Sequence, residues 1–161
     1  MYRLAIVDDN ESWCFVLALW LEQQGYTVST FTNAHTFLEE VDRFDLVLVD
    51  FSLPAPRYRT AIDGPEVICK VRNCSDNPPL LVLISGFFTE DFLGQATEIC
   101  PEADAVWSKQ LDAKNLVYKV EQLLTNRIWT KSHSDRASAS AHQRSLKKHY
   151  EHHHTPQFKN R

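Results

Sequence analysis

Five short apolar or β-branched runs alternate with segments of helical periodicity over roughly the first 125 residues, and this alternation limits what the chain can fold into. Each run is rich in aliphatic or β-branched residues and ends at or beside a polar residue. Continuous apolar runs of this length are typical of β-strands that are buried on both faces. The strands are predicted at Arg3–Val7, Thr27–Phe31, Leu46–Asp50, Leu80–Ile84 and Ala105–Ser108.

The segments between the runs place apolar residues three to four positions apart, as amphipathic helices do. Gly25 can close the first helix, Pro65 can open the third, and Asp112 can cap the last. The helices are predicted at Glu11–Gln24, Ala34–Val41, Pro65 to about Asn73, Thr89–Cys100 and Asp112–Leu124. This order predicts an α/β fold, a doubly wound (βα)5 parallel five-stranded sheet with helices on both faces.

Polar side chains that can bind ions or take part in reactions stand where the predicted strands end. They are Asp8 and Asp9 after the first strand, Asp50 at the end of the third, Ser85 after the fourth and Lys109 after the fifth. Ligands of open parallel sheets bind beyond the carboxyl ends of the strands, so these five residues should converge. Three neighbouring carboxylates repel one another, which favours a hard divalent cation, and Mg²⁺ is usual where a phosphate shares the site.

Each of these residues has an ordinary explanation when it is taken alone. A strand-end Asp or Ser is more often a helix cap than a reactive group, and a rim Lys is usually solvated. Taken together and in order, the Asp pair, the Asp, the Ser and the Lys resemble the signature of response regulator receiver domains over about residues 1–125. The resemblance implies a five-stranded flavodoxin-like fold and a cytoplasmic phosphorylation switch rather than a conventional enzyme.

The same resemblance implies roles for individual residues. Asp50 would be the phosphoacceptor, and Asp9 and Asp50 would bind Mg²⁺ with the backbone carbonyl of Ser52, while Asp8 would act largely through metal-bound water. Lys109 and the hydroxyl of Ser85 would contact the phosphoryl group. The implied donor is a sensor histidine kinase or a histidine phosphotransfer protein, and the output is contact with a downstream protein partner.

A long loop after the third strand departs from the family pattern. Twelve residues separate Asp50 from the Asp63-Gly64 pair, roughly six more than usual, and they include Arg57, Tyr58 and Arg59. The insertion is either a lid or partner-selective surface beside the site, or a solvated segment that the fold tolerates.

The fifth strand and the loop after Ser85 also depart from the family. Val106 stands where an aromatic residue often moves inward with the hydroxyl, so aromatic switching of the usual kind is doubtful. Gln110 replaces the proline that commonly follows the Lys, so no cis peptide is expected there. Phe87 either shields an acyl phosphate from water or, with Phe88, packs under the following helix.

The first helix is predicted to face the sheet with Trp13, Val16, Leu17 and Trp20, while Phe15, Ala18 and Leu19 lie off this stripe. A helix that is apolar around its circumference needs cover on two sides. Either a kinase or phosphotransfer partner or the C-terminal tail of the same chain could provide it.

Charge divides the chain into a predicted receiver domain at 1–127 and a short basic C-terminal extension at 128–161. The first part carries ten basic and nineteen acidic residues, whereas the second carries seven and two, with six of the seven histidines. The tail is too short for a winged helix and has few aromatic residues, so DNA binding is not expected. Three uses of the tail stay open: docking on the receiver of the same or another chain through Ile128 and Trp129, partner binding, or contact with nucleic acid or an anionic surface.

The remaining signals are weak. Cys14, Cys69, Cys74 and Cys100 lack the spacing of a zinc site and are expected to be buried reduced thiols. The longest apolar run is far shorter than the roughly 20 residues that cross a bilayer, so no membrane role is expected. A phosphorylation-independent adaptor with the receiver fold is the main alternative function, and homodimerisation is possible in either case.

Overall fold

The computed structural model describes residues 1–55, 60–89, 95 and 98–128, and its sheet is the predicted one. Five parallel strands lie in the order β2-β1-β3-β4-β5. They are β1 Arg3–Val7, β2 Thr27–Phe31, β3 Leu46–Asp50, β4 Leu80–Ser85 and β5 Ala105–Ser108. The doubly wound fold class is confirmed.

The helices follow the strands as predicted, with shifts at their ends. They are α1 Glu11–Gln23, α2 Ala34–Leu38 and α3 Gly64–Cys74, followed by helical residues 113–128, called the C-terminal helix below. Most of the helix predicted at Thr89–Cys100 lies outside the described residues, although residues 98–99 are helical. Asp112 caps the C-terminal helix as predicted, because its Oδ1 accepts the Asn115 N–H at 2.8 Å.

The end of α1 shows why Gly25 stands where it does. Gly25 has a φ of 88°, which L side chains rarely adopt. Its N–H donates to the Glu22 carbonyl at 2.9 Å, and the Tyr26 N–H donates to Leu21 at 3.4 Å. These two bonds form a Schellman cap that ends the helix and turns the chain into β2.

Helix α2 is shorter than predicted. It ends at Leu38, and a 3₁₀ turn at Val41–Arg43 follows it. The tighter turn brings Val41 and the buried Phe44 against the hydrophobic core. Packing of these two side chains therefore outweighs the helical periodicity that predicted a longer helix.

Both faces of the central strands are buried. One face forms a core with α2 and α3 that contains alternate strand residues, among them Val7, Val49 and Leu83. The intervening strand residues, such as Ile6 and Leu48, are also fully buried and lie on the other face because strand side chains alternate. Burial on two sides explains why β1, β3 and β4 are nearly continuous apolar runs, whereas the edge strand β2 is half-buried to exposed and contains Thr and Ser.

The predicted apolar stripe of α1 is partly wrong. The buried residues are Cys14, Leu17 and Leu21, whereas Val16 and Trp20 are 50% and 43% exposed. Asn10 caps the helix, and its Oδ1 accepts the Trp13 N–H at 3.1 Å. Positions 14, 17 and 21 face the sheet. The expected surplus of exposed apolar surface on α1 is present, with Phe15 65% exposed.

The four thiols are free, but they are not all buried. Cys14 and Cys100 are buried, Cys69 is half-buried and Cys74 is exposed at the end of α3. Burial, more than the negative charge of Asp8, raises the pKa of Cys14 to about 12. The prediction of buried reduced thiols therefore holds for Cys14 and Cys100 and is wrong for Cys74.

The chain divides into two units, Met1–Glu121 and Gln122–Arg161. The first contains the whole sheet. In the second, residues 122–128 are described and helical, and Ile128 is 57% exposed. Trp129 and the rest of the tail lie outside the described residues, so docking of the tail and the 127/128 boundary remain predictions.

Candidate functional site

Strand register places the predicted site residues at one edge of the sheet. Val7 pairs with Val49, Asp50 pairs with Ile84, and Ser85 pairs with Ser108. The residues that follow β1 and β5, Asp8 and Lys109, therefore lie beside the ends of β3 and β4. This edge includes the switch point between β1 and β3, where the chain order of the strands reverses.

An acidic cluster is formed by Asp8, Asp9 and Asp50. Each can offer one carboxylate oxygen such that the three oxygens lie within 4.8 Å of one another. Asp8 is fully buried and Asp50 is 6% exposed, whereas Asp9 is exposed. Two acidic groups are thus held in a poorly solvated place, and the third faces the solvent.

Lys109 provides the positive charge that this cluster needs. Its Nζ lies 3.1 Å from Asp50 Oδ1 and forms an ion pair with Asp8 Oδ2. Its backbone N–H donates to the Ser85 carbonyl at 3.0 Å, which ties the end of β5 to the end of β4. The side chain is 17% exposed, so solvent screens these pairs weakly.

Local hydrogen bonds fix the position of Asp8. Its Oδ1 accepts the Asn10 N–H at 2.9 Å, and its own N–H donates to the Phe31 carbonyl at 2.9 Å. The Cys14 thiol lies 3.5 Å from the Asp8 carbonyl oxygen. The loop that carries the acidic pair is therefore joined to β2 and to the first turns of α1.

The pKa values of the site follow from burial and from crowding of like charge. Burial raises the pKa of Asp50, the charge of Asp8 raises it further, and Lys109 opposes both effects. Burial alone would lower the pKa of Lys109, but contact with Asp8 and the charges of Asp50 and Asp8 outweigh it, so the pKa is raised. The ammonium therefore stays protonated, and ionised Asp50 is held at an energetic cost.

The carboxylates fit a divalent cation. Asp8, Asp9 and Asp50 can bring three carboxylate oxygens within 4.8 Å of one another, and the buried Asp8 Oδ2 already pairs with a cation, the Lys109 ammonium. Oxygen donors of this kind match the ligand preference of Mg²⁺. The residues present can thus hold the cation that the sequence predicts. Ser52, the predicted backbone ligand, is exposed two residues after Asp50.

Ser85 and its loop reach the same edge. Ser85 is buried, and its Oγ accepts the Phe87 N–H at 3.1 Å, which leaves the hydroxyl proton for another acceptor. Phe88 is buried and stacks edge-on against Phe51, so packing explains Phe88. Phe87 is 84% exposed, so the same explanation fails for Phe87.

Of the other departures from the family, the structure describes the fifth strand and the residue after Lys109, but only the ends of the long loop. Val106 packs against the α2–α3 core, Trp107 is buried on the opposite face, and the Lys109–Gln110 peptide is trans, as expected. Arg57, Tyr58 and Arg59 lie outside the described residues, so the role of the long loop remains open. Both ends of that loop are anchored by buried residues, Leu53 and Ile62.

Gly64 is a site residue whose role the sequence analysis did not identify. A Cβ atom on it would lie 2.2 Å from the Asp50 carbonyl oxygen and 2.9 Å from the Phe51 Cα. Its N–H donates to the Phe51 carbonyl at 3.0 Å, and Asp63 caps α3 beside it. The glycine in front of Pro65 was the available signal. Gly64 lets α3 begin against the backbone of the phosphoacceptor candidate.

Replacing Lys109 with methionine should destabilise the metal-free protein. The change leaves Asp8 and Asp50 without their cation, which costs about 3 kcal/mol for a buried pair. Saturating Mg²⁺ should restore much of this loss, since a cation among the carboxylates replaces the ammonium. Urea unfolding in chelator and in Mg²⁺ measures both effects.

Lys70→Met, in an exposed pair with Glu66, is the control and should cost about 0.5 kcal/mol or less. An equal loss with and without Mg²⁺ would contradict the prediction.

Comparison with known proteins agrees with this geometry. Residues 4–121 match the response regulator receiver domain. The chain is 28% identical over 123 residues to the nisin biosynthesis regulatory protein NisR of Lactococcus lactis subsp. lactis, a match covering 75% of this chain and 49% of NisR. The chain therefore spans about half the length of that curated relative.

Solved structures support the fold. The receiver domain (CheY-like) from Methanospirillum hungatei JF-1 superposes with a TM-score of 0.67 at 22% identity, covering 81% of this chain and 98% of that one. The BeF3-activated DrrB receiver domain gives a TM-score of 0.64 at 22% identity, with 78% and 98% coverage. In the described part of the chain, no helix has the length and apolar content needed to cross a membrane. The chain belongs to the response regulator receiver domain family of two-component systems.

Proposed function

We propose that this protein is a phosphorylation switch in which Asp50 accepts a phosphoryl group from a sensor histidine kinase or a histidine phosphotransfer protein. The observation that carries the proposal is the meeting of the Asp8, Asp9 and Asp50 carboxylates within 4.8 Å, with the Lys109 ammonium beside them. The phosphorylated form would then bind a downstream protein, as a monomer or a homodimer, in the cytoplasm. Residues 1–127 would act as the receiver and 128–161 as a basic extension.

The reaction assigns distinct tasks to the residues. An oxygen of Asp50 attacks phosphorus, an acyl phosphate bond forms, and the bond from phosphorus to the donor imidazole breaks. Mg²⁺ would offset the negative charges that come together. Asp9, Asp50 and the Ser52 carbonyl would bind it, and Asp8 would act on it largely through metal-bound water. Lys109 would then contact the new phosphoryl oxygens.

Ser85 would convey the change. Its hydroxyl can donate to a phosphoryl oxygen, and its Oγ is already bonded to the Phe87 N–H at 3.1 Å. Any movement of Ser85 toward the phosphoryl group therefore pulls on the loop that carries Phe87. The altered loop position is the signal that a partner protein would recognise.

Val106 supports a second candidate, a receiver-fold adaptor that works without phosphorylation. This residue is an aliphatic side chain packed into the core, so the usual aromatic switch of the family has no counterpart at this position. The acidic cluster with its lysine favours the switch over the adaptor.

Phosphorylation by acetyl phosphate distinguishes the two candidates. The switch predicts that one phosphoryl group is added in Mg²⁺ and none in chelator, which intact-protein mass spectrometry measures. Digestion under mild conditions should place the group on the peptide that contains Asp50. An unmodified protein after prolonged incubation with donor and Mg²⁺ would favour the adaptor.

Phe87 should lengthen the life of the acyl phosphate. With Phe51, Ser85, Phe88 and Ile99 it lines a cavity of about 300 Å³ next to the site, where an apolar ring hinders the approach of water. Phe87→Glu and Phe87→Asn should each speed loss of the phosphoryl group several-fold, measured by mass after removal of the donor. Phe15→Asn, at an exposed position of α1, is the control. Unchanged decay in both Phe87 variants would show that the ring has no shielding role.

A further inference from the structure

The ammonium of Lys109 has an aromatic neighbour as well as its acidic ones. Its Nζ lies 4.9 Å from the centre of the Trp13 ring. Trp13 is half-buried near the start of α1. A cation at this distance from an indole ring is attracted by the negative potential of the ring face, and tryptophan provides the strongest attraction of this kind.

The backbone of Trp13 is connected to the acidic loop. The Asn10 N–H donates to Asp8 Oδ1 at 2.9 Å, and the Trp13 N–H donates to Asn10 Oδ1 at 3.1 Å. These two bonds connect the buried carboxylate to the first turn of α1 through one residue. The same segment therefore places both the acidic and the aromatic partner of Lys109.

Lys109 has two kinds of partner that respond differently to a cation in the site. A divalent ion among the carboxylates repels the ammonium and weakens its pairs with Asp8 and Asp50. The Trp13 ring carries no net charge to be neutralised, so its attraction persists. Without this contact the ammonium would move toward the solvent more easily, because the lysine side chain is a flexible stem of four carbons.

We propose that Trp13 is a positioning residue that holds the Lys109 ammonium next to Asp50 while the carboxylates bind a cation. The inference rests on the proposed phosphotransfer at Asp50, which it extends. Trp13 touches no reacting atom in this scheme. It acts by reducing the number of positions that the lysine side chain occupies before the phosphoryl group arrives.

The contact itself can be tested without phosphorylation. Protein labelled with 5-fluorotryptophan should show a Trp13 fluorine resonance, identified by its absence in Trp13→Phe. Lys109→Met should shift this resonance, whereas the Trp20 resonance, from an exposed position of the same helix, should stay in place. A Trp13 resonance that Lys109→Met does not move would overturn the proposal.

The positioning role is tested by the rate of phosphorylation by acetyl phosphate at saturating Mg²⁺. Trp13→Leu should slow the reaction about fivefold, while Trp13→Phe, which keeps an aromatic face, should lose less. Trp20→Leu should change the rate by less than about twofold. In the Lys109→Met background, Trp13→Leu should cause no further loss, because the residue it acts through is absent.

The outcomes separate the two proposals. Trp13→Leu could slow phosphorylation by the same factor with and without Lys109, or Trp20→Leu could slow it as much as Trp13→Leu does. Either result would mean that Trp13 is merely structural and would overturn the positioning role. An unmodified wild-type protein would refute the proposed phosphotransfer and this role in it, even with the fluorine shift present. Circular dichroism checks that each variant is folded. If Trp13→Leu does not fold, the rate is compared in the more conservative Trp13→Phe variant.

Discussion

Replacing Asp50 with asparagine should prevent addition of the phosphoryl group and, in the absence of metal, should raise the melting temperature of the protein. An amide oxygen is a poor nucleophile and cannot give a stable acyl phosphate, so we expect no phosphoryl adduct at all. Intact mass after incubation with acetyl phosphate and Mg²⁺ measures this. The same adduct on the asparagine variant would place the acceptor on another residue.

The gain in stability has a defined dependence on pH. Burial and the charge of Asp8 raise the pKa of Asp50 above its ordinary value of 3.8, so the folded protein retains a proton that the unfolded chain has already released. Asp50 therefore favours folding at low pH, and this contribution is lost as the pH rises through the raised pKa. The advantage of Asp50→Asn should accordingly be full above the raised pKa of Asp50 and should disappear as the pH falls toward the ordinary value of 3.8.

Thermal unfolding in chelator across this pH range tests the sign. Asp76→Asn removes one negative charge from an exposed turn and is the matched control. It should change the melting temperature less than Asp50→Asn does, and without the same pH dependence. A variant at position 50 that is less stable than wild type at alkaline pH would show that the Lys109 pair outweighs burial and repulsion.

A side chain at position 64 should destabilise the receiver strongly. In Gly64→Ala the new Cβ would stand 2.2 Å from the Asp50 carbonyl oxygen, a separation that backbone atoms must move to relieve. The expected cost is about 3 kcal/mol or more, and Gly64→Val should leave little folded protein if the total stability is typical.

Gly86→Ala provides the matched control for this prediction. A Cβ at Gly86 meets nothing within 4 Å, and the residue follows Ser85 at the same edge of the sheet. Its substitution should change the free energy of unfolding by about 0.5 kcal/mol. Urea unfolding of the two alanine variants compares them directly, and equal stability would show that α3 can shift away from β3 at small cost.

The fold could be predicted from the sequence because the signals were local and repeated. All five strands lie where the apolar runs placed them, with β4 extended by one residue to Ser85. Parallel strands end at a shared edge, so the residues after each run could be grouped without knowing any distance. Asp8, Asp9, Asp50 and Lys109 meet there as the grouping predicted.

The phase of α1 and the extent of α2 could not be read in this way. Periodicity identifies an apolar face only when other faces are polar, and α1 carries apolar residues all round. The structure buries Cys14, Leu17 and Leu21, and the helical spacing alone did not single out this set. After α2 a 3₁₀ turn replaces the predicted last part of the helix and places Val41 and Phe44 at the core, where Phe44 meets Phe31 and Phe37. Periodicity does not report such tertiary contacts.

The sequence by itself determined the order of strands and helices, the buried strands and the set of polar residues at the strand ends, because these depend on local composition and on the geometry common to parallel sheets. The tertiary structure decided what depends on separations of a few ångströms between residues far apart in the chain. It showed that Lys109 pairs with Asp8 and faces Trp13, that Phe87 is exposed while Phe88 is buried, and that Gly64 touches the Asp50 backbone. Such contacts follow from packing, which no local pattern specifies.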